Sequence, residues 1–138
     1  MIRDRRLSEP PDERFVRFAI QQRGDETGAL IGTAALWGID SHNGLGHIGI
    51  QLVRSARGRG LGLDALRVVC HYGFALRGLH RLGLETLASN ESMRRTAVAA
   101  GFTEEGRLRQ VAFMFGERDD EILYGLLRSE WAPSGVEL

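Results

Sequence analysis

The feature that most restricts the fold of this chain is a glycine-rich turn at residues 57–62, with the sequence RGRGLG. The pattern predicts an apolar strand before the turn, from Gly46 to Arg54, and a helix after it, from about Gly60 to Arg77. Glycines at alternate positions let the backbone turn sharply and approach a ligand closely. Because the turn leads into a helix N-terminus, free N–H groups face outward there and favour a phosphate group. The turn therefore predicts a phosphate site built from main-chain atoms.

Two other nucleotide-binding loops are excluded by residue type. A Walker loop ends in Gly-Lys-Ser/Thr, and this chain contains no lysine. A dinucleotide loop needs G-x-G-x-x-G before a helix, but Leu63 stands at the third glycine position. The one G-x-G-x-x-G match, residues 44–49, leads into a strand instead. A glycine-rich turn that only joins a strand to a helix remains the alternative.

Size and charge restrict the class of protein. A chain of 138 residues predicts one domain, here residues 14–138, preceded by a polar N-terminal arm at residues 1–13. The formal net charge is zero, so no overall basic field points to nucleic acid. No apolar run approaches the roughly 20 residues of a membrane span, and Met1 to Pro11 lacks the apolar centre of a secretory signal. We therefore expect a cytoplasmic protein with neither nucleic acid nor a membrane as partner.

The single cysteine, Cys70, lies within the predicted helix. One cysteine excludes an internal disulfide bond, and its position favours a small core residue over a reactive thiol. No set of His, Cys, Asp and Glu shows metal-ligand spacing, so no metal site is predicted.

Periodicity predicts an α+β chain with six strands. The predicted strands are Arg14–Gln22, Ala29–Ile39, His47–Arg54, His80–Leu87, Gly106–Phe115 and Glu121–Arg128. The first three should form an antiparallel meander. A helix separates the third strand from the fourth, so these two should pair in parallel through a right-handed crossover. A second helix, capped by Ser89 or Asn90, precedes the final hairpin.

The run from Arg57 to Trp131 resembles the GCN5-related N-acetyltransferases (the GNAT family), and within it the bacterial type that acetylates ribosomal-protein N-termini or polyamines. The turn fits the motif Arg-x-x-Gly-x-Gly, which is the pyrophosphate loop of that family. The features shared in order after the turn are His80-Arg81, Asn90, Gly101-Phe102, Glu105-Gly106, Arg109 and Leu127-x-x-Glu130-Trp131.

The resemblance implies a mixed, mostly antiparallel sheet that splits into a V between the third and fourth strands and is flanked by helices. Acetyl-CoA would be the co-substrate, with its pantetheine arm between the two strands. The backbone groups of Leu52 and Val53 would bind that arm and the acetyl carbonyl, and a strand amide near Val53 would stabilise the developing oxyanion. Asn90 would contact the cofactor, or serve only as a helix cap. The remaining cofactor-binding residues would be Arg57, Gly58, Arg59, Gly60, Leu61 and Gly62.

Three departures from the family pattern stand out. Only 13 residues precede the Arg14 strand, so we expect the family's first strand and helices to be lacking. The acceptor site would then be open, completed by a second subunit, or lost through truncation of the chain. The tyrosine that many members use as an acid corresponds to Ala97. The serine used by the ribosomal group corresponds to Met93, with Ser92 adjacent, and a frequent glutamate corresponds to His47.

Acetyl transfer to an amine needs a base and benefits from an acid. His47 is the predicted base because a free imidazole, with a reference pKa of about 6.5, suits proton transfer near neutral pH. A surface histidine without a catalytic role is the alternative, and Glu85 could act instead through a water chain. Ser92 is the candidate hydrogen-bond donor to the leaving sulfur, with helix capping as its alternative.

The leading functional hypothesis is an N-acetyltransferase for a primary amine: a protein N-terminus, a polyamine or a small-molecule amine. The alternatives are a CoA-binding module without transferase activity and a structural subunit. Because the first predicted strand lies near a sheet edge, we also expect a homodimer.

Overall fold

The computed structural model describes residues 2–4 and 14–132. Within them the chain forms one seven-stranded sheet with the strand order β1-β2-β3-β4-β5-β7-β6. The strands are β1 (Ile2–Asp4), β2 (Val16–Gln21), β3 (Leu30–Asp40), β4 (Leu45–Leu52), β5 (Arg81–Leu87), β6 (Thr103–Met114) and β7 (Glu117–Leu127). The α-helices are α1 (Leu61–His71), extended by a wider turn at Tyr72–Leu76, and α2 (Glu91–Ala99). The mixed α+β architecture predicted from the sequence is confirmed.

The predicted strand pairings are also confirmed. Strands β2, β3 and β4 form the antiparallel meander. Strand β5 pairs in parallel with β4 after the α1 crossover, and antiparallel with β7 on its other side. The lengths of the connections explain these pairings. Antiparallel neighbours can be joined by a few residues, whereas the parallel pair of β4 and β5 needs a long connection, which α1 provides.

The N-terminal arm requires a correction. The prediction that no strand precedes the Arg14 strand is wrong, because Ile2–Asp4 pairs antiparallel with residues 18–20 of β2. Three residues are too short to show alternation in the sequence, and the unpaired edge of β2 decides their conformation. Residues 1 and 5–13 lie outside the described residues, and so does the question of helices before β2.

The hydrophobic core lies on one face of the sheet. Leu36, Ile48 and Leu82 on the strands and Leu66 and Val69 on α1 are buried to 2% exposure or less. Side chains alternate along a strand, so the neighbouring residues point to the other face. On that face Phe15 and Trp37 are 39% and 42% exposed, because neither α1 nor α2 covers it. No helix within residues 14–132 is both long and apolar enough to cross a bilayer.

Cys70 provides a test of this core. Its side chain is buried on α1, and burial raises the pKa of the thiol to about 12. Thiols react as thiolates, so Cys70 should not react with a dithionitrobenzoate reagent in the native protein at pH 8. In denaturing urea, spectrophotometry should detect one thiol per chain. Rapid reaction of the native protein would contradict the packing of α1 described here.

Candidate functional site

The sheet opens between β4 and β5. Ladder pairing between them ends where Ile48 lies opposite Leu84. Beyond this point β4 continues to Leu52 and β5 to Leu87, each paired only with its outer neighbour. The opening forms a cleft of about 600 Å³ lined by β2, β3, β4, β5 and the start of α2. The facing strand edges can therefore pair with an extended ligand.

The hydrogen bonds at the end of β4 determine which backbone amide there is free to bind a ligand. The Val53 N–H donates to Ile31 O at 2.8 Å, and Val53 O accepts from the Ala56 N–H at 3.0 Å. Both backbone groups of Val53 are thus used within the protein, so its own amide is not free for an acetyl carbonyl. Backbone groups of an antiparallel strand alternate between its two edges, so the Leu52 amide is directed toward the cleft instead.

The glycine-rich turn is open to solvent. Gly58 and Gly60 have positive φ angles of 75° and 76°, a region that favours glycine. A Cβ added at either position would meet no atom within 4 Å. Gly60 is the N-cap of α1, and the Asp64 N–H donates to Gly60 O at 3.2 Å in the first turn. The preceding N–H groups, which include those of Leu61 and Gly62, therefore have no partner within the helix and fit a diphosphate.

Two arginines flank the turn. Arg57 Nε donates to Leu52 O at 3.2 Å, and an Arg59 terminal nitrogen donates to Gln22 Oε1 at 3.3 Å. Both side chains belong to exposed residues. Each guanidinium has five N–H donors and keeps several for an anion. The positive charge therefore lies beside the open N-terminus of α1, as the sequence predicted.

Of the two predicted site residues at the start of α2, one faces the cleft and the other does not. Asn90 lines the cleft, and its Oδ1 accepts from the Met93 N–H at 3.2 Å, so it caps the helix. Met93 also lines the cleft, whereas Ser92 is exposed and is not among the lining residues. Consecutive helical residues point about 100° apart, because one turn contains 3.6 residues. With the cap at Asn90, this rotation leaves Ser92 outside the cleft, and the structure does not support its predicted role.

His47 and Glu85 form a pair across the opening strands. The distance between His47 Nδ1 and Glu85 Oε1 is 2.7 Å, and the side chains are 37% and 23% exposed. The imidazole stacks on Trp37 with ring centroids 4.5 Å apart and an interplanar angle of 23°. It also lies over Gly83, where an added Cβ would come within 3.2 Å of Nδ1. Stacking, the carboxylate and the missing Cβ together hold the ring in one orientation.

This pair has the properties of a general base. A carboxylate at Nδ1 favours the tautomer with the proton on Nδ1, which leaves the lone pair on Nε2 to accept a proton. Glu85 lines the cleft, whereas His47 is not among the lining residues and adjoins the cleft through its bond to Glu85. The two predicted candidates for the base are therefore one hydrogen-bonded unit rather than alternatives.

Two polar or aromatic residues at the β2 side of the cleft were not identified by the sequence analysis. Phe15 and Arg17 line the cleft from the β2 side. Because side chains alternate along a strand, these two residues share one face of their predicted strand. Nothing in the sequence showed that this face lies beside the cleft. The register supplies this information, since Arg17 lies opposite Ala35 on β3, and Ala35 lies opposite Gly49 on β4.

Within residues 2–4 and 14–132, no group of three or more His, Cys, Asp or Glu side chains is placed to hold a metal ion.

Comparison with known proteins identifies a family. The model of the acetyltransferase (GNAT) domain matches residues 1–103. The putative ribosomal N-acetyltransferase YdaF of Bacillus subtilis is 31% identical over 104 residues, which are 75% of this chain and 57% of that protein. The uncharacterized N-acetyltransferase YoaA of the same organism is 28% identical over 117 residues, 85% of this chain and 65% of that protein.

A solved structure of a mutant spermidine N-acetyltransferase SpeG from Vibrio cholerae is also similar. It has 25% sequence identity and a TM-score of 0.78, and the match covers 86% of this chain and 68% of that one. The chain spans 57% and 65% of the length of the two curated relatives.

The open turn leads to a prediction about ligand binding. Gly60→Val should abolish binding of CoA in calorimetry, because the branched side chain would occupy the space proposed for the diphosphate. The positive φ should also cost about 1–2 kcal/mol of stability.

Gly78→Val is the matched control. Gly78 has a φ of 66° and the same open surroundings, but it follows α1 and is not part of the turn. It should lose similar stability in urea denaturation and retain CoA binding. Equal affinity of the two variants for CoA would contradict the assignment of the turn.

Proposed function

Since the chain belongs to the GNAT acetyltransferase family, we propose that it transfers the acetyl group of acetyl-CoA to a primary amine. The observation that carries this proposal is the open turn at the N-terminus of α1 beside an unpaired gap between β4 and β5. A main-chain anion site and a strand-lined cleft in continuity suit a ligand with a diphosphate at one end and an extended amide arm at the other.

Different parts of the chain would hold different parts of acetyl-CoA, which supplies an acetyl group activated as a thioester. The N–H groups at residues 58–62, with Arg57 and Arg59, would bind the diphosphate. The edge of β4 at Leu52 would pair with the pantetheine arm. Asn90 would contact the same arm from the opposite wall, because it lines the cleft while capping α2.

The Leu52 amide would also act on the developing negative charge of the acetyl carbonyl. A fixed backbone donor in a cleft needs no reorganisation during the reaction, and one such donor is typically worth 10²–10³-fold in rate. The assignment replaces Val53, whose amide is bonded to Ile31 O.

The pair formed by His47 and Glu85 would remove the proton from the acceptor amine. His47 would act as the base through Nε2, and Glu85 would orient the ring and stabilise its protonated form. A free thiol has a reference pKa near 8.5, so its thiolate can leave without an obligatory acid. The exposed position of Ser92 fits that simpler route.

A CoA-binding module without transferase activity is the second candidate. It is favoured by the position of the family's tyrosine, which is the fully buried Ala97 here, and by the exposure of Ser92. We also propose a cytoplasmic location. We propose a homodimer as well. It is supported by the edge of β2, because β1 pairs only with residues 18–20 of that strand.

The direct test is release of CoA thiol from acetyl-CoA in the presence of peptide N-termini, polyamines and small amines. We expect acceptor-dependent release and an acetylated amine in the mass spectrum. Binding of CoA without release for any acceptor would favour the second candidate. Absence of both binding and release would refute the proposed function.

Substitution of the pair tests its role in proton transfer. His47→Gln and Glu85→Gln should each lower kcat, the former by about 10²–10⁴-fold, with little change in the affinity for CoA. His42→Gln is the control, because His42 is an exposed loop histidine. A kcat for His47→Gln within twofold of the unsubstituted protein would exclude His47 as the base.

A further inference from the structure

Four residues form a row across the open face of the sheet. Arg17 on β2 lies opposite Ala35 on β3, and Ala35 lies opposite Gly49 on β4. Glu85 on β5 follows Leu84, the last residue paired with β4, and continues the row across the gap. All four line the cleft. The row is therefore a trough with a cation at one end, a carboxylate at the other and two small residues as its floor.

The cation at the β2 end is available for a ligand. Arg17 is exposed, and its guanidinium carbon lies 5.4 Å from the centroid of the Phe15 ring. Within residues 14–132, no carboxylate forms an ion pair with Arg17. A ring against one face of a guanidinium leaves its edge donors free for the two oxygens of an anion. Arg17 is thus presented to the cleft by Phe15.

The β5 end of the trough carries a negative charge, from Glu85. Glu85 is bonded to His47, the base of the proposed reaction, so the amine to be acetylated belongs at this end. Two strand spacings of about 4.8 Å separate the backbones of Arg17 and Gly49, and the unpaired gap between β4 and β5 separates Gly49 from Glu85. Ala35 and Gly49 lie between these two ends of the row and carry no large side chain, so the trough has room for an acceptor that spans it.

From this geometry we propose that the acceptor is a primary amine that also carries an anionic group, a carboxylate or a phosphate. The inference rests on the proposed acetyl transfer and specifies its substrate class. Arg17 binds the anion, and the pair of His47 and Glu85 receives the amine. A peptide N-terminus followed by an acidic side chain carries both groups, whereas a polyamine would place a second cation against Arg17.

Matched peptides measure this preference in the full chain. The acceptors are the amides of Ala-Glu-Ala, Ala-pSer-Ala, Ala-Gln-Ala and Ala-Lys-Ala, together with spermidine. For the unsubstituted protein we expect kcat/KM to be at least tenfold higher for an anionic peptide than for Ala-Gln-Ala, and lowest for Ala-Lys-Ala and spermidine. Comparison of the Glu and pSer peptides distinguishes a carboxylate from a phosphate as the preferred anion.

Variants of Arg17 connect the preference to one side chain. Arg17→Gln should raise KM for the anionic peptides about tenfold or more and leave kcat nearly unchanged, because Arg17 positions the acceptor without touching the reacting atoms. Arg17→Glu should reverse the order, so that the Lys peptide exceeds the Glu peptide. Arg95→Gln is the control, since Arg95 is an exposed residue of α2 paired only with Glu91 among the described residues.

The outcomes separate this inference from the proposed function. Calorimetry with CoA present reports binding of the same peptides without turnover. Transfer to all acceptors at similar kcat/KM, or a preference unchanged in Arg17→Glu, would overturn the inference and leave acetyl transfer standing. Absence of transfer, with Arg17-dependent binding of anionic peptides, would refute the transferase and retain the anion site. Absence of both transfer and such binding would overturn both.

Discussion

The site depends on the place where two parallel strands stop pairing. Strands β4 and β5 share hydrogen bonds only as far as Ile48 and Leu84, although both continue. Each remains in the sheet because an antiparallel partner holds it on the other side: β3 pairs with β4 up to Leu52, and β7 pairs with β5 up to Leu87. The gap is therefore flanked by two stable ladders, and its free backbone edges persist without a ligand to close them.

The helix between these strands supplies the second requirement. Because α1 connects β4 to β5, its N-terminus must lie at the end of β4, which is also the open end of the gap. Positive φ angles at Gly58 and Gly60 let the chain turn from strand to helix while the free N–H groups face solvent. The anion site and the cleft are thus adjacent for a topological reason.

The open face of the sheet supplies the charged and aromatic side chains beside the cleft. Neither α1 nor α2 packs on this face, so residues such as Trp37, His47 and Arg17 remain accessible there. Small residues in the row, Ala35 and Gly49, keep the space between the charged ends clear. Gly83 contributes in the same way, since a Cβ there would displace the His47 ring. One face of the sheet therefore holds the core, and the other carries Arg17 and the pair formed by His47 and Glu85.

The amino-acid sequence by itself determined the elements and the turn, because strand alternation, helical periodicity and glycine spacing are local properties. It located β2 to β7 and both helices, and it predicted the parallel crossover. It could not determine the direction in which a group points. The Val53 amide is bonded within the protein, and Ser92 lies on an exposed face of α2. Strand β1, the contact between His47 and Glu85, and the row that brings Arg17 to the cleft were decided only by tertiary structure. Each of them depends on register between distant segments, and hydrophobic packing sets that register through the whole sheet.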